Sequence, residues 1–173
     1  MQEALAELCE ELGDRCDTIE LPSAYDKIAQ TQGLIQWAEN ATYYGPLYDR
    51  SKDQLSPGMR QRLETGIATS APDYLRAVNS REVLYAGLEE IFERYDAIIC
   101  PAAPGPAPKG IGSTGNSIFN GFWTYLGVPA LSIPLLEANG MPMGVQLVGP
   151  RRDDGRLLRT ARWLERSLNS AEV

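Results

Sequence analysis

The sequence predicts an α/β protein, a mixed β-sheet covered by helices, and three observations lead to that class. Apolar residues recur at helical spacing through most of the first half of the chain. The period then changes at Ala97-Ile98-Ile99-Cys100, a short and wholly apolar run that reads as a strand buried on both faces. Farther on, residues 128–135 and 143–148 read as strands joined through Asn139-Gly140, a pair expected to form an antiparallel hairpin.

Taken in order, Ala4, Leu5, Leu8 and Leu12 fit one helical face, and Gly13 stands where a left-handed residue would end the helix. A strand is expected over residues 16–21, interrupted by Pro22. Ser23 suits an N-cap, with Asp26 three residues on, and Tyr25, Ile28, Ala29 and Ile35 continue a helix to about Glu39. The aromatic stretch 43–48, with Gly45-Pro46 inside it, reads as irregular. Ser56-Pro57 and Ala71-Pro72-Asp73 are helix starts. The second of these opens the longest helix, striped by Leu75, Val78, Leu84, Leu88, Ile91 and Phe92 and closing near Arg94.

Prolines 101, 104, 106 and 108 stop the apolar run, and a glycine-rich loop leads to a short helix over 119–126. Asp153 or Asp154 can cap a last helix whose apolar face is Leu157, Leu158, Ala161 and Leu164.

The chain has 173 residues, enough for one domain with a real core. Its formal net charge is -7, and the basic residues are scattered in the sequence, which argues against a nucleic-acid ligand. Three cysteines and no histidine indicate neither a disulfide framework nor a zinc site, and a reducing cytoplasm fits that usage. Met1-Gln2-Glu3 does not open a basic-then-apolar leader, and no apolar run approaches the roughly 18 residues of a membrane helix, so no membrane partner is expected.

Three blocks carry a resemblance: residues 95–104 around Ile98-Ile99-Cys100-Pro101, residues 119–130 ending Gly127-Val128-Pro129-Ala130, and residues 140–149 with Gly144-Val145-Gln146. Their order and spacing resemble the C-terminal region of amidase-signature enzymes, most strongly over 95–168. The resemblance implies one C-terminal fragment, residues 1–173, of the amidase-signature fold, with a catalytic N-terminal part absent.

Enzymes of that family cleave amides through a lysine, a bridging serine and a nucleophilic serine. Here no two serines are adjacent, and Lys27, Lys52 and Lys109 are followed by no suitable glycine- and serine-rich run, so no catalytic residue is expected in this chain. The chain alone should then be inactive, completed by the missing N-terminal half acting on a small amide without a cofactor. An orphaned strand edge would invite dimerisation into a homodimer. The alternatives are a part resembling the A subunit of a glutamine-dependent tRNA amidotransferase, and an interaction module without chemistry.

Asn120, Trp123 and Tyr125 are implied to shape a substrate pocket, with core packing as the alternative reading of each. Gln146, an amide within an apolar strand, must be hydrogen-bonded, and it would brace the loop that bears the serines. Arg81 resembles the arginine with which some glutamine-dependent members hold a carboxylate, the alternative being a solvated helix arginine. Those members also tend to carry an acidic residue shortly before the middle block, where Asn116, Ser117 and Asn120 are neutral.

Gly110, Gly112 and Gly115 satisfy the glycine spacing of a phosphate loop, but four prolines separate them from the preceding strand, which favours a surface loop. Lys109 with Ser113 or Ser117 makes a lysine–serine pair on paper. Nothing nearby suggests apolar surroundings for it, so an exposed loop lysine is expected.

Overall fold

The computed structural model describes residues 2–138 and 140–169, which form two compact units. One runs from Ser23 to Leu84; the other joins the stretch up to Pro22 with everything from Tyr85 onward.

The first unit is helical. A short 3-10 turn at Ser23–Lys27 leads into α2 (Ile28–Ser51), followed by α3 (Pro57–Ile67) and the opening of α4 (Ala71–Arg94). Ser56 caps α3 by accepting the Met59 N–H at 3.3 Å, with Pro57 in the first turn, and Ser70 accepts the Asp73 N–H at 3.2 Å to start α4. Both starts follow the expected signals.

Residues 43–48 do not break the chain as expected: α2 continues through Pro46. Tertiary contacts on both sides of the proline override it. Gly66 of α3 lies against the Trp37 carbonyl and Ala41, and beyond the proline the Tyr48 hydroxyl donates to Glu64 at 2.9 Å.

The second unit holds the sheet. Helix α1 (Gln2–Leu12) ends before Gly13, whose φ of 54° is the left-handed residue expected there. The strand expected over 16–21 is absent: the segment is extended at Cys16 and has no ladder partner among the described residues. A strand is defined by its neighbour, and periodicity cannot supply one.

Three strands pair in the order β1-β3-β2, with β1 Ile98–Pro101, β2 Ala130–Ala138 and β3 Met141–Val148. Both pairings are antiparallel, so the hairpin is as expected, and no parallel pairing of a mixed sheet occurs among these strands. Asn139 of the turn lies outside the described residues. Strand β2 extends past Leu135 because a bulge between Ile133 and Leu136 admits Pro134 without interrupting the ladder on either side. At the sheet edge, β1 is half-buried along its length rather than fully buried.

Strand alternation sorts the central strand. Val145 and Leu147 face a core built with Leu8 and Leu12 of α1 and Leu157, Ala161 and Leu164 of α6 (Asp154–Asn169). Residues Gly144 and Gln146 face the other way, toward α5 (Ile118–Leu126).

Arginines fasten the ends. Arg156 donates to the Phe92 and Tyr95 carbonyls at 3.1 and 3.0 Å, satisfying the C-terminal turn of α4, while Asp153 caps α6 through the Arg156 N–H. Arg151 lies 3.8 Å above the Tyr85 ring centroid and donates to the Leu126 carbonyl at 2.7 Å.

Candidate functional site

Helix α5 is short because both ends are set by sequence. The Asn116 side chain accepts the Ile118 N–H at 3.0 Å at its start, and Gly127 at φ 67° ends it with its N–H on the Thr124 carbonyl. Asn120 and Trp123, three residues apart, therefore share one face, directed at the sheet.

The sheet meets that face with Cys100 of β1 and Gln146 of β3, which are direct cross-strand partners. Trp123 Nε1 donates to Cys100 Sγ at 3.3 Å, Cys100 Sγ to Gln146 Oε1 at 3.7 Å, and Gln146 Nε2 to Asn120 Oδ1 at 2.9 Å. The result is one polar chain, Trp123–Cys100–Gln146–Asn120. It starts at a buried indole and ends at an exposed amide.

Gln146 is 6% exposed, so its amide depends on these partners. Burial pushes the Cys100 thiol up to about 11, with the Trp123 N–H pulling the other way. Cys100 is therefore a protonated donor near neutrality and a poor nucleophile.

On the far side of Gln146 the cross-strand partner is Ser132, exposed on β2. A side chain on Gly144 would displace the Ser132 hydroxyl and press on Ala102, so the glycine lets that serine sit close to β3. Next to the polar chain lies an apolar cavity of about 480 Å³, walled by Phe119, Phe122 and Trp123 of α5, by Ile98 and Cys100 of β1, and by the segment around Ile19.

Three of the residues singled out from sequence, Asn120, Trp123 and Gln146, thus come together. Tyr125 is 1% exposed and packs inside the same unit. Arg81 is half-buried on α4 in the helical unit, close enough to Tyr74 to act on its charge. Lys109 and the glycine-rich loop are exposed, and Gly110–Gly115 opens no helix directly.

Cys100 and Ser132 escaped the sequence reading. Cys100 lies within the first resemblance block, but its role, like that of Ser132, follows from strand register. No group of three or more His, Cys, Asp or Glu side chains suited to a metal ion occurs among the described residues, and no described helix is long and apolar enough to cross a membrane.

The amidase family model matches residues 6–158. The A subunit of glutamyl-tRNA(Gln) amidotransferase from Treponema denticola is 26% identical over 167 residues, 87% of this chain and 34% of that protein; its Thermotoga maritima counterpart is 32% identical over 121 residues, covering 63% and 25%. A solved amidase superposes with a TM-score of 0.81 at 29% identity, covering 95% of this chain and 41% of that one. A bacterial aryl acylamidase of the amidase-signature family gives 0.74 at 12% identity, a likeness of fold, with 96% and 40% covered.

The chain therefore spans about a third of the Treponema relative and two fifths of these two solved structures. With a family model matched over most of its length, the chain belongs to the amidase-signature family.

Proposed function

We propose that this chain is the C-terminal part of an amidase-signature hydrolase that cleaves carboxylic amides through a Ser-Ser-Lys acyl-enzyme, with serines and lysine supplied by polypeptide outside it. The observation that carries the reading is the exposure of Lys27, Lys52 and Lys109 in a chain matched by the family model. A lysine acting as base has to shed its proton, which requires shielding from water.

In the complete enzyme this chain contributes one wall of the substrate site. Asn120 presents an exposed amide whose oxygen is occupied by Gln146, leaving its N–H groups directed outward as donors to a carbonyl. Trp123 shapes the apolar side, and Gln146 positions Asn120 without touching substrate. Tyr125 supports α5 from within, and no cofactor is required. The three free thiols suit a reducing, cytoplasmic setting.

The test is hydrolysis of a panel of aryl amides by the purified chain, alone and with the upstream part of its open reading frame. We expect activity only in the mixture, and turnover by the chain alone would overturn the proposal.

A second reading, part of a glutamine-dependent amidotransferase, is favoured by the two amidotransferase relatives, and there Arg81 would hold a carboxylate. Ammonia release from glutamine by the same mixture, with no aryl amidase activity, would select it.

A further inference from the structure

We propose that an open pocket of about 440 Å³ on the exposed flank of α6 binds a compact polyphosphate anion through Arg15, Arg159, Arg162 and Arg166. Trp163 and Ser167 complete its lining. The pocket lies on the α1–α6 side of the sheet, opposite α5, and the inference does not depend on the amidase reading.

Helical spacing and one tertiary contact gather the cations. Arg159, Arg162 and Arg166 are three and four residues apart, on a stripe of α6 away from the buried Leu157, Ala161 and Leu164. At a rise of about 1.5 Å per residue they spread over about 10 Å of helix axis, close to the screening length of roughly 8–10 Å, so one small ligand feels all three. Arg15 arrives from the other end of the chain. Its Nε donates to the Leu12 carbonyl at 3.1 Å and its guanidinium lies 5.4 Å from the Trp163 ring centroid, which holds it at the pocket before any ligand enters. The helix dipole accounts for a cation such as Arg166 in the last turn, but it does not account for Arg15.

The charge of the pocket is unbalanced. Although the chain carries a net charge of -7, no aspartate or glutamate lines the pocket among the described residues. Arg159 and Arg162 make no ion pair among those residues either. The adjoining groove shares Arg15, Arg159 and Trp163 and does hold Asp14, Asp17 and Asp96. Two of these are engaged elsewhere, Asp17 by the Tyr95 hydroxyl at 2.6 Å and Asp96 by Arg156 at 3.1 Å.

Guanidinium forks suit phosphate and carboxylate alike, so charge and size select the ligand. Four cations around about 440 Å³ call for several negative charges on a small body, and small-molecule sites occupy about 300–1,000 Å³. A long polyanion would leave the pocket for a surface rich in acids, with Asp14 and Glu165 exposed beside the arginines in sequence, and be repelled there. A short run of phosphates, free or carried on an organic group, meets both conditions.

The test is titration calorimetry on the full chain with inorganic tripolyphosphate, at about 0.05 and 0.15 M salt. Saturable binding at one site should weaken several-fold at the higher salt. Arg162→Gln and Arg166→Gln should each weaken it by about 3- to 10-fold. Arg62→Gln, which removes the same charge from an exposed position on α3, should leave it unchanged.

ATP carries the same triphosphate on a nucleoside. A preference for ATP that is lost in Trp163→Leu would support the site and assign the phosphates to an aromatic carrier, and equal binding would support it with free polyphosphate as the ligand. No saturable binding, or equal losses in the Arg162 and Arg62 variants, would overturn the site. Tighter binding of single-stranded RNA or of a polyglutamate peptide through the same arginines would overturn the ligand class.

Discussion

Replacing exposed Asn120 by leucine should cost more stability than replacing buried Gln146 by leucine. The reasoning turns on which group is left without a partner. In Gln146→Leu a similar volume stays in place, the bond to Asn120 is lost, and Asn120 Oδ1 can turn to water because it sits at the surface. The remaining loss is the weak acceptor of the Cys100 thiol at 3.7 Å. A net hydrogen bond contributes about 1 kcal/mol and the desolvation of a buried amide is relieved, so the expected cost is about 0–1 kcal/mol.

Asn120→Leu instead leaves the Gln146 Nε2 donor buried beneath an apolar cover, which costs about 1–3 kcal/mol, offset by at most about 0.5 kcal/mol of better helix propensity. The double variant removes both partners and should return to within about 1 kcal/mol of Gln146→Leu. Urea midpoints at constant slope measure all four corners of the cycle. Additive losses, or a larger cost for Gln146→Leu than for Asn120→Leu, would refute the account of the polar chain.

In the helical unit, a methyl at Gly66 would overlap the Trp37 backbone carbonyl, which cannot rotate aside, whereas Gly45 has open space. Gly66→Ala should therefore destabilise by about 1–3 kcal/mol or more despite its helix propensity, while Gly45→Ala should stabilise by up to about 1 kcal/mol; thermal melting by circular dichroism reads both signs. Cys100, with its thiol pushed up to about 11, holds its proton in the folded chain at pH values where the unfolded thiol, near 8.5, has lost it. Its stabilising contribution is full below about pH 8.5 and is lost as pH rises toward 11. At pH 8, iodoacetamide should label Cys100 far more slowly in the folded chain than in urea.

The middle block illustrates how far pattern reading reached. Asn120, Trp123 and Tyr125 were singled out through the family resemblance, and the spacing of a short helix then puts the first two on one face. Gln146 was legible because an amide inside an apolar strand has to find partners. Their partner Cys100 was not, since nothing local states that residue 100 stands opposite residue 146. Ser132 was hidden in the same way, by a register that the hairpin and its bulge decide.

Local chemistry by itself determined the capped helices at Pro57 and Ala71, the left-handed stop at Gly13 and the hairpin. These depend on backbone sterics and on side chains within a few residues of each other. Tertiary structure alone decided that α2 passes through Pro46, because α3 grips it on both sides, and that residues 16–21 form no strand, because a ladder needs a neighbouring chain segment. It also joined Trp123, Cys100, Gln146 and Asn120, whose hydrogen bonds span 23 to 46 residues of sequence and exist only once helix and sheet have packed.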